Sequence, residues 1–283
     1  MPYSSEAYAY LFDRDAGSGG ELPHLRHDAV HNYRTRTVKA GRTLEVEIYP
    51  VWKTRAEARR AKARKSREAQ KRQNAKNARR KLIRKINANF DERDLCITLT
   101  YKGAPPDEEQ ARRDVRNYLR RVRDWRRKRG LSDLKYVYVV EFGGKDGRRK
   151  RVHHHIIMSG MDRDAAERLW NNRGYANARR LQPDDYGLEA LARYITKEPQ
   201  HSKRWCASRN LVNPRESVSD HKISLRRAER MAQDFQNAPG QILTTIFKGY
   251  ALDDCEVKYS DFVAGAYIYA HLHLDQKENR RNE

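Results

Sequence analysis

The chain has 283 residues, with 60 Lys and Arg against 38 Asp and Glu, a formal charge of +22, and 38% hydrophobic residues. That balance points to a polyanionic partner, above all nucleic acid. No run approaches the ~18 apolar residues of a membrane-spanning helix, no basic-then-apolar leader opens the chain, no P-loop motif occurs, and three scattered cysteines exclude a disulfide framework; the expectation is a cytoplasmic protein with no membrane partner.

Residues 1–53 read as a weakly structured lead broken by Gly17, Gly19 and Gly20, with one strand predicted at 43–49 (TLEVEIY) from its alternation. Residues 54–90 differ sharply. Between Arg55 and Lys85 stand 15 Lys/Arg and 2 Glu, a net +13, with many Ala and no Gly or Pro. Helix propensity is high, and Leu82, Ile83, Ile86 and Phe90 give an apolar end at helical spacing. The segment predicts a long basic helix whose last turns dock and whose earlier turns, including Arg59, Lys62, Arg67 and Lys71, face DNA phosphates. A solvated charged helix or a basic arm is the plainer alternative.

From Asp94 the pattern sharpens. Residues 94–101 (DLCITLTY) alternate as a strand, and Asp107 to Arg129 carry an amphipathic helix through Val115, Tyr118, Leu119, Val122 and Trp125. Strands follow at 135–142 (KYVYVVEF) and 150–158 (KRVHHHIIM), joined by the glycine-containing GGKDGRR turn. Asp162 caps a short helix to about Asn172, residues 174–182 form another strand, and Asp184 and Asp185 open a helix that Pro199 stops. Residues 91–200 therefore predict an α+β fold: a central antiparallel sheet of ferredoxin-like topology with helices packed on it. Residues 201–283 read as a C-terminal extension packed on that core, with a helix near 223–237 and a strand near 258–270.

Two local patterns bear on chemistry. On a strand, His153 and His155 share one face and His154 takes the other. Folding the hairpin sets Glu141 opposite His153 or His155, completing a His-His-carboxylate set suited to Mn²⁺ or, more weakly, Mg²⁺. The competing reading is three histidines on a polar sheet face. His271 and His273 repeat the spacing, but no carboxylate hairpin precedes them; His24, His27 and His31 read as surface histidines. Downstream, Tyr194 and Lys197 stand at i and i+3 on a helix whose stripe is Leu188, Leu191 and Ile195. A phenol is a poor nucleophile alone, but becomes competent against a metal-polarised phosphodiester. A tyrosine merely packed near the core is the bland alternative, and Tyr186 is the backup nucleophile.

These pieces, ITLTY (97–101), RVHHHIIMSG (151–160) and YITK (194–197), resemble motifs I, II and III of the HUH endonucleases that initiate rolling-circle replication. INANF before the first motif and KRWCASRNL after the third are similar to bacterial plasmid Rep proteins. The resemblance covers roughly residues 90–200. It implies metal ligation by His153 and His155 with Glu141, DNA attack by Tyr194, and phosphate or metal positioning by Lys197. His154 departs from the pattern, where the middle residue is usually hydrophobic, and needs a partner beneath the sheet or partial exposure.

The expected activity is origin-specific nicking and rejoining of single-stranded or hairpin DNA through a 5′-phosphotyrosine link, with helicase and polymerase supplied by the host. Non-specific phosphate contacts fall to the basic helix and to Lys145, Arg148, Arg149, Lys150 and Arg151; Arg123 and Arg126 to Arg129 could add more. The other readings are an HUH transposase or relaxase and a non-catalytic basic nucleic-acid-binding protein.

Overall fold

The computed structural model describes residues 30–53, 67–103, 106–142, 152–170, 173–195, 205–260 and 263–275. Among these are ten strands in two five-stranded antiparallel sheets, and six helices. The chain divides into two units. The first contains residues up to Arg84, Asp185–Gly187 and Pro214 onward; the second contains Lys85–Asp184 and Leu188–Asn213.

In the first unit, strands β1 (Val30–Ala40) and β2 (Thr43–Trp52) form a hairpin. Helix α1 (Arg67–Asn87) follows, its residues through Arg84 belonging to this unit. This helix covers only the later part of the segment expected to be one long basic helix; Arg59 and Lys62 lie outside the described residues, as do the side chains of Arg67 and Lys71.

The second unit opens with β3 (Leu95–Thr100), α2 (Glu108–Arg127), β4 (Tyr136–Glu141), β5 (His153–Met158), α3 (Arg163–Arg168) and β6 (Ala176–Arg180). Helix α4 (Glu189–Ile195) and the short β7 (Cys206–Ala207) complete it. The first unit then resumes with β8 (Arg215–Ser219), α5 (Leu225–Gln233), α6 (Ala238–Ile246), β9 (Tyr250–Ser260) and β10 (Val263–Leu274).

The sheet of the second unit has the order β6-β3-β5-β4-β7. One face is apolar: Leu95, Ile97, Leu99, Ile156 and Met158 pack with Val115, Tyr118, Leu119 and Val122 of α2 and with Trp170. Burial of each such side chain contributes about 1.5–3 kcal/mol. Helix α2 starts where expected, because Asp107 accepts a hydrogen bond from the Gln110 amide at 2.7 Å and Glu108 and Glu109 sit at the positive end of the helix dipole.

The sheet of the first unit has the order β8-β1-β2-β10-β9. Its apolar face, with Val46, Ile48, Ile268 and Leu272, packs with Met231 of α5 and Ile242 and Leu243 of α6. The opposite face is polar yet buried. Arg84 grips Glu45 through two hydrogen bonds of 2.9 and 2.7 Å and reaches Glu47 at 3.1 Å, while Arg36 joins Glu47 to Glu216 at 2.8 and 2.9 Å. Burial acts to raise the Glu45 carboxyl, but the charge and hydrogen bonds of Arg84 outweigh it, and the group falls to about 2. Arg84 itself is held protonated against the cost of burial by the same carboxylates.

Several expectations differ from this arrangement. The lead at 1–53 contains two long strands rather than one, and β1 begins at Val30. Its alternation is diluted because Thr35 and Thr37 are polar residues on the apolar face, while Arg36, on the polar face opposite Glu47, is buried as well. Residues 201–283 do not fall into one piece, since 214 onward joins the N-terminal hairpin in a single unit. The single strand near 258–270 is a hairpin of two, and a second helix follows the one near 223–237. The helix expected from Asp184 begins only at Glu189, after Gly187 adopts φ +67°.

Candidate active site

Strand β5 is the middle of its sheet, flanked by β3 and β4, and its register fixes the site. Glu141 lies directly opposite His153, Val139 opposite His155, and on the other side Thr100 and Thr98 face the same two histidines. Side chains alternate along each strand, so these groups project from one face. Glu141, His153 and His155 each offer a ligand atom, all within 4.8 Å of one another. The carboxylate that the hairpin was expected to supply is therefore in place. His155 Nε2 and Glu141 Oε2 are 3.2 Å apart, and the other ring nitrogen, Nδ1, faces Thr98 Oγ1 at 3.5 Å. The His155 side chain is 6% exposed and that of Glu141 41% exposed, so the cluster is rooted in the sheet and open on one side.

Tyr194 projects from α4 against this cluster. Its ring meets His155 edge-on, with centroids 5.6 Å apart and planes at 79°. Leu188, Ala192 and Ile195 of the same segment are buried while Tyr194 stays 64% exposed. The apolar stripe fixes the helix and leaves the phenol accessible. Lys197 lies outside the described residues, as do Lys145, Arg148, Arg149, Lys150 and Arg151.

The middle histidine resolves the departure noted in the sequence. His154 is fully buried on the helix-covered face, where its Nε2 lies 2.9 Å from the Tyr101 hydroxyl. Tyr101 also donates to Asp114 at 3.2 Å, and Arg173 pairs with Asp114 at 2.7 Å. Tyr101 has one proton and gives it to Asp114, so His154 must donate its Nε2–H to the phenol oxygen. Its Nδ1 has no hydrogen-bond partner among the described residues, as suits an unprotonated nitrogen. Burial, followed by the neighbouring His155 and His153, holds the His154 ring down to about 3, and it is neutral at physiological pH. Tyr101, Asp114 and Arg173 thus form the support beneath the sheet. They escaped sequence reasoning because they lie on a strand end, a helix and a loop far apart in the chain. The only signal was the polar His154 at an apolar position.

Gly174 fixes the edge of the same row. A Cβ there would come within 1.9 Å of the Thr100 carbonyl oxygen, and the next residue's carbonyl accepts from Thr100 N at 2.9 Å. Only glycine allows this backbone approach beside the residue paired with His153.

Tyr186, the alternative nucleophile, belongs to the first unit and stacks on His271 at 4.6 Å with an interplanar angle of 23°. The expectation that no carboxylate hairpin precedes His271 and His273 is overturned. Asp253 on β9 accepts from Nδ1 of His271 at 2.8 Å and from Nδ1 of His273.

The donor set of one carboxylate and two imidazoles fits a divalent ion with mixed oxygen and nitrogen preference, such as Mn²⁺. Arg126, one of the expected phosphate contacts, is instead 3% exposed and donates to the carbonyls of Ser132 and Gly160. Among the described residues, no helix is long and apolar enough to cross a membrane.

Comparison with known proteins gives no match among curated proteins and none among solved structures. A protein-family model does match, over residues 94–200, less than half of the chain. Those residues include β3 to α4, and so Glu141, His153, His155 and Tyr194 together. The segment that builds this site is thus similar to the family described as replication-associated protein ORF2/G2P.

Proposed function

We propose that the protein is a rolling-circle replication initiator of the HUH type, which nicks and rejoins one strand of origin DNA through Tyr194. The observation that carries the reading is the phenol of Tyr194 set against His155 within the Glu141–His153–His155 cluster. The connectivity supports it: β3-α2-β4-β5-α3-β6 has its four strands in the spatial order fourth, first, third, second, all antiparallel, which is that of a ferredoxin-like core.

Glu141, His153 and His155 would hold a divalent ion, Mn²⁺ or Mg²⁺. Bound there, it supplies charge to polarise a phosphodiester and offset the negative charge that builds on its oxygens. The protein's own groups do the rest. The sheet fixes the three donors by backbone register. Buried His154, anchored by Tyr101, holds the central strand from below. Tyr194 Oη attacks the scissile phosphorus in line and gives its proton to water, which its exposure admits. The Oη–P bond forms as the P–O3′ bond breaks, and the departing O3′ takes a proton. A 5′-phosphotyrosine and a free 3′-OH result; a polymerase extends the latter, and attack by a later 3′-OH reverses the step without ATP. Unwinding falls to a separate helicase of the host. Lys197 and the basic residues at 59, 62, 67, 71, 145 and 148–151 would hold the phosphate backbone.

Incubating the protein with Mn²⁺ and an origin oligonucleotide tests the reading. A covalent protein–DNA band is expected, lost in Tyr194→Phe with DNA binding retained and lost with EDTA. A band that persists in Tyr194→Phe would move the nucleophile elsewhere. No band with any single-stranded DNA would leave a binding protein only.

A further inference from the structure

The first unit contains a second convergence of metal-ligating side chains. Asp185, Asp253 and His273 each offer a donor atom within 4.8 Å of the others. A register shift between His271 and Leu272 produces it. His271 pairs with Asp254 and Leu272 with Leu252, so Asp253 is the extra residue of a β-bulge. A bulge re-aims a side chain. Here it turns the Asp253 carboxylate onto the same face as His271 and His273, where it accepts from Nδ1 of both rings. The Asp253 side chain is only 6% exposed.

Each ring that donates Nδ1–H to a carboxylate presents its Nε2 as a lone pair. That carboxylate–imidazole pairing is the one that orients and strengthens metal-bound histidines. His273 Nε2 faces Asp185 Oδ1 at 3.7 Å, beyond hydrogen-bond range. Two donor atoms that share a divalent ion through bonds of about 2.0–2.2 Å stand at roughly this separation. The Asp185 side chain is 73% exposed, so ions and water can reach it.

We infer that Asp185 and His273, with Asp253 behind His273, form a second divalent-cation site for a borderline dication such as Zn²⁺ or Mn²⁺. Asp185 reaches it on the stretch 185–187, which belongs to the first unit although the residues on either side belong to the second. An ion there ties this stretch to the β9–β10 hairpin. The inference does not depend on the nicking reading, because none of its residues takes part in that site.

The test is metal stoichiometry by equilibrium dialysis of the full-length protein, stripped with EDTA and then exposed to Zn²⁺ or Mn²⁺. His153→Ala/His155→Ala, which removes donors of the first cluster, should retain one bound equivalent. Adding Asp185→Asn, an exposed position where folding is not at stake, should weaken that remaining affinity by about 10–100-fold. Circular dichroism confirms the fold of both variants. The inference is overturned if the double variant binds no ion, or if Asp185→Asn leaves its affinity unchanged.

Discussion

The two sheets contain the same kinds of residue in the same spacing and use them differently. Each has a His-x-His pair on a strand, a carboxylate on the antiparallel neighbour and a tyrosine ring against one histidine. In the second unit the carboxylate arrives by plain register, Glu141 opposite His153, and stays 41% exposed. In the first unit a bulge delivers Asp253, buried, with both imidazoles already donating to it. Tyr194 stands edge-on and exposed; Tyr186 lies flat on His271. An open, partly satisfied cluster can accept a substrate. In the buried cluster the carboxylate is taken up in orienting both rings, and only His273 Nε2 and the exposed Asp185 are left to meet an ion.

The largest effect should separate the two histidine pairs. His155→Ala should lower nicking by roughly 10³-fold, the loss of several kcal/mol of charge stabilisation, while His273→Ala should leave the nicking rate within about threefold. Equal losses in single-turnover nicking would mean that the two pairs share one function.

The buried ion network sharpens the structural side of the contrast. Arg84→Met leaves Glu45 buried without its main partner and removes one of the arginines on Glu47, and should cost about 3–5 kcal/mol in denaturant unfolding. The pH dependence gives the sign. Glu45 is depressed from 4.5 to about 2, so its contribution is full above pH 4.5 and is lost as pH falls through 2. In Arg84→Met, burial is opposed only by the Arg80 charge and the Tyr269 hydrogen bond, so the carboxyl rises and acidification from neutral pH should stabilise the variant relative to wild type. Parallel stability–pH curves would remove Arg84 as the cause.

The smallest effect concerns the stacked ring. Tyr186→Leu should cost about 0.5–1.5 kcal/mol of stability, the aromatic-pair contribution, and leave covalent adduct formation intact. Loss of adduct would identify Tyr186 as a participant in the chemistry.

The sequence made the strands and helices from Asp94 to Arg180 legible, since alternation, the Asp107 cap and the HHH triplet are local signals. It also placed Glu141 near the histidines, because a hairpin sets its register within a short stretch of chain. Hairpin strands β1 and β10 were harder to read. Their polar residues, among them Arg36, Thr37 and His271, are buried against partners on neighbouring strands, so polarity no longer marked exposure.

Local periodicity, then, determined which residues share a face, and so the pairing of His153 with His155 and the amphipathic stripe beside Tyr194. Tertiary structure alone decided that Glu45 and Glu47 lie under Arg84, that His154 rests on Tyr101, and that a bulge turns Asp253 toward two imidazoles. Those outcomes depend on contacts between distant segments and on the loss of water around them. Burial, not residue type, sets the cost of a charge, and burial exists only once the chain has folded.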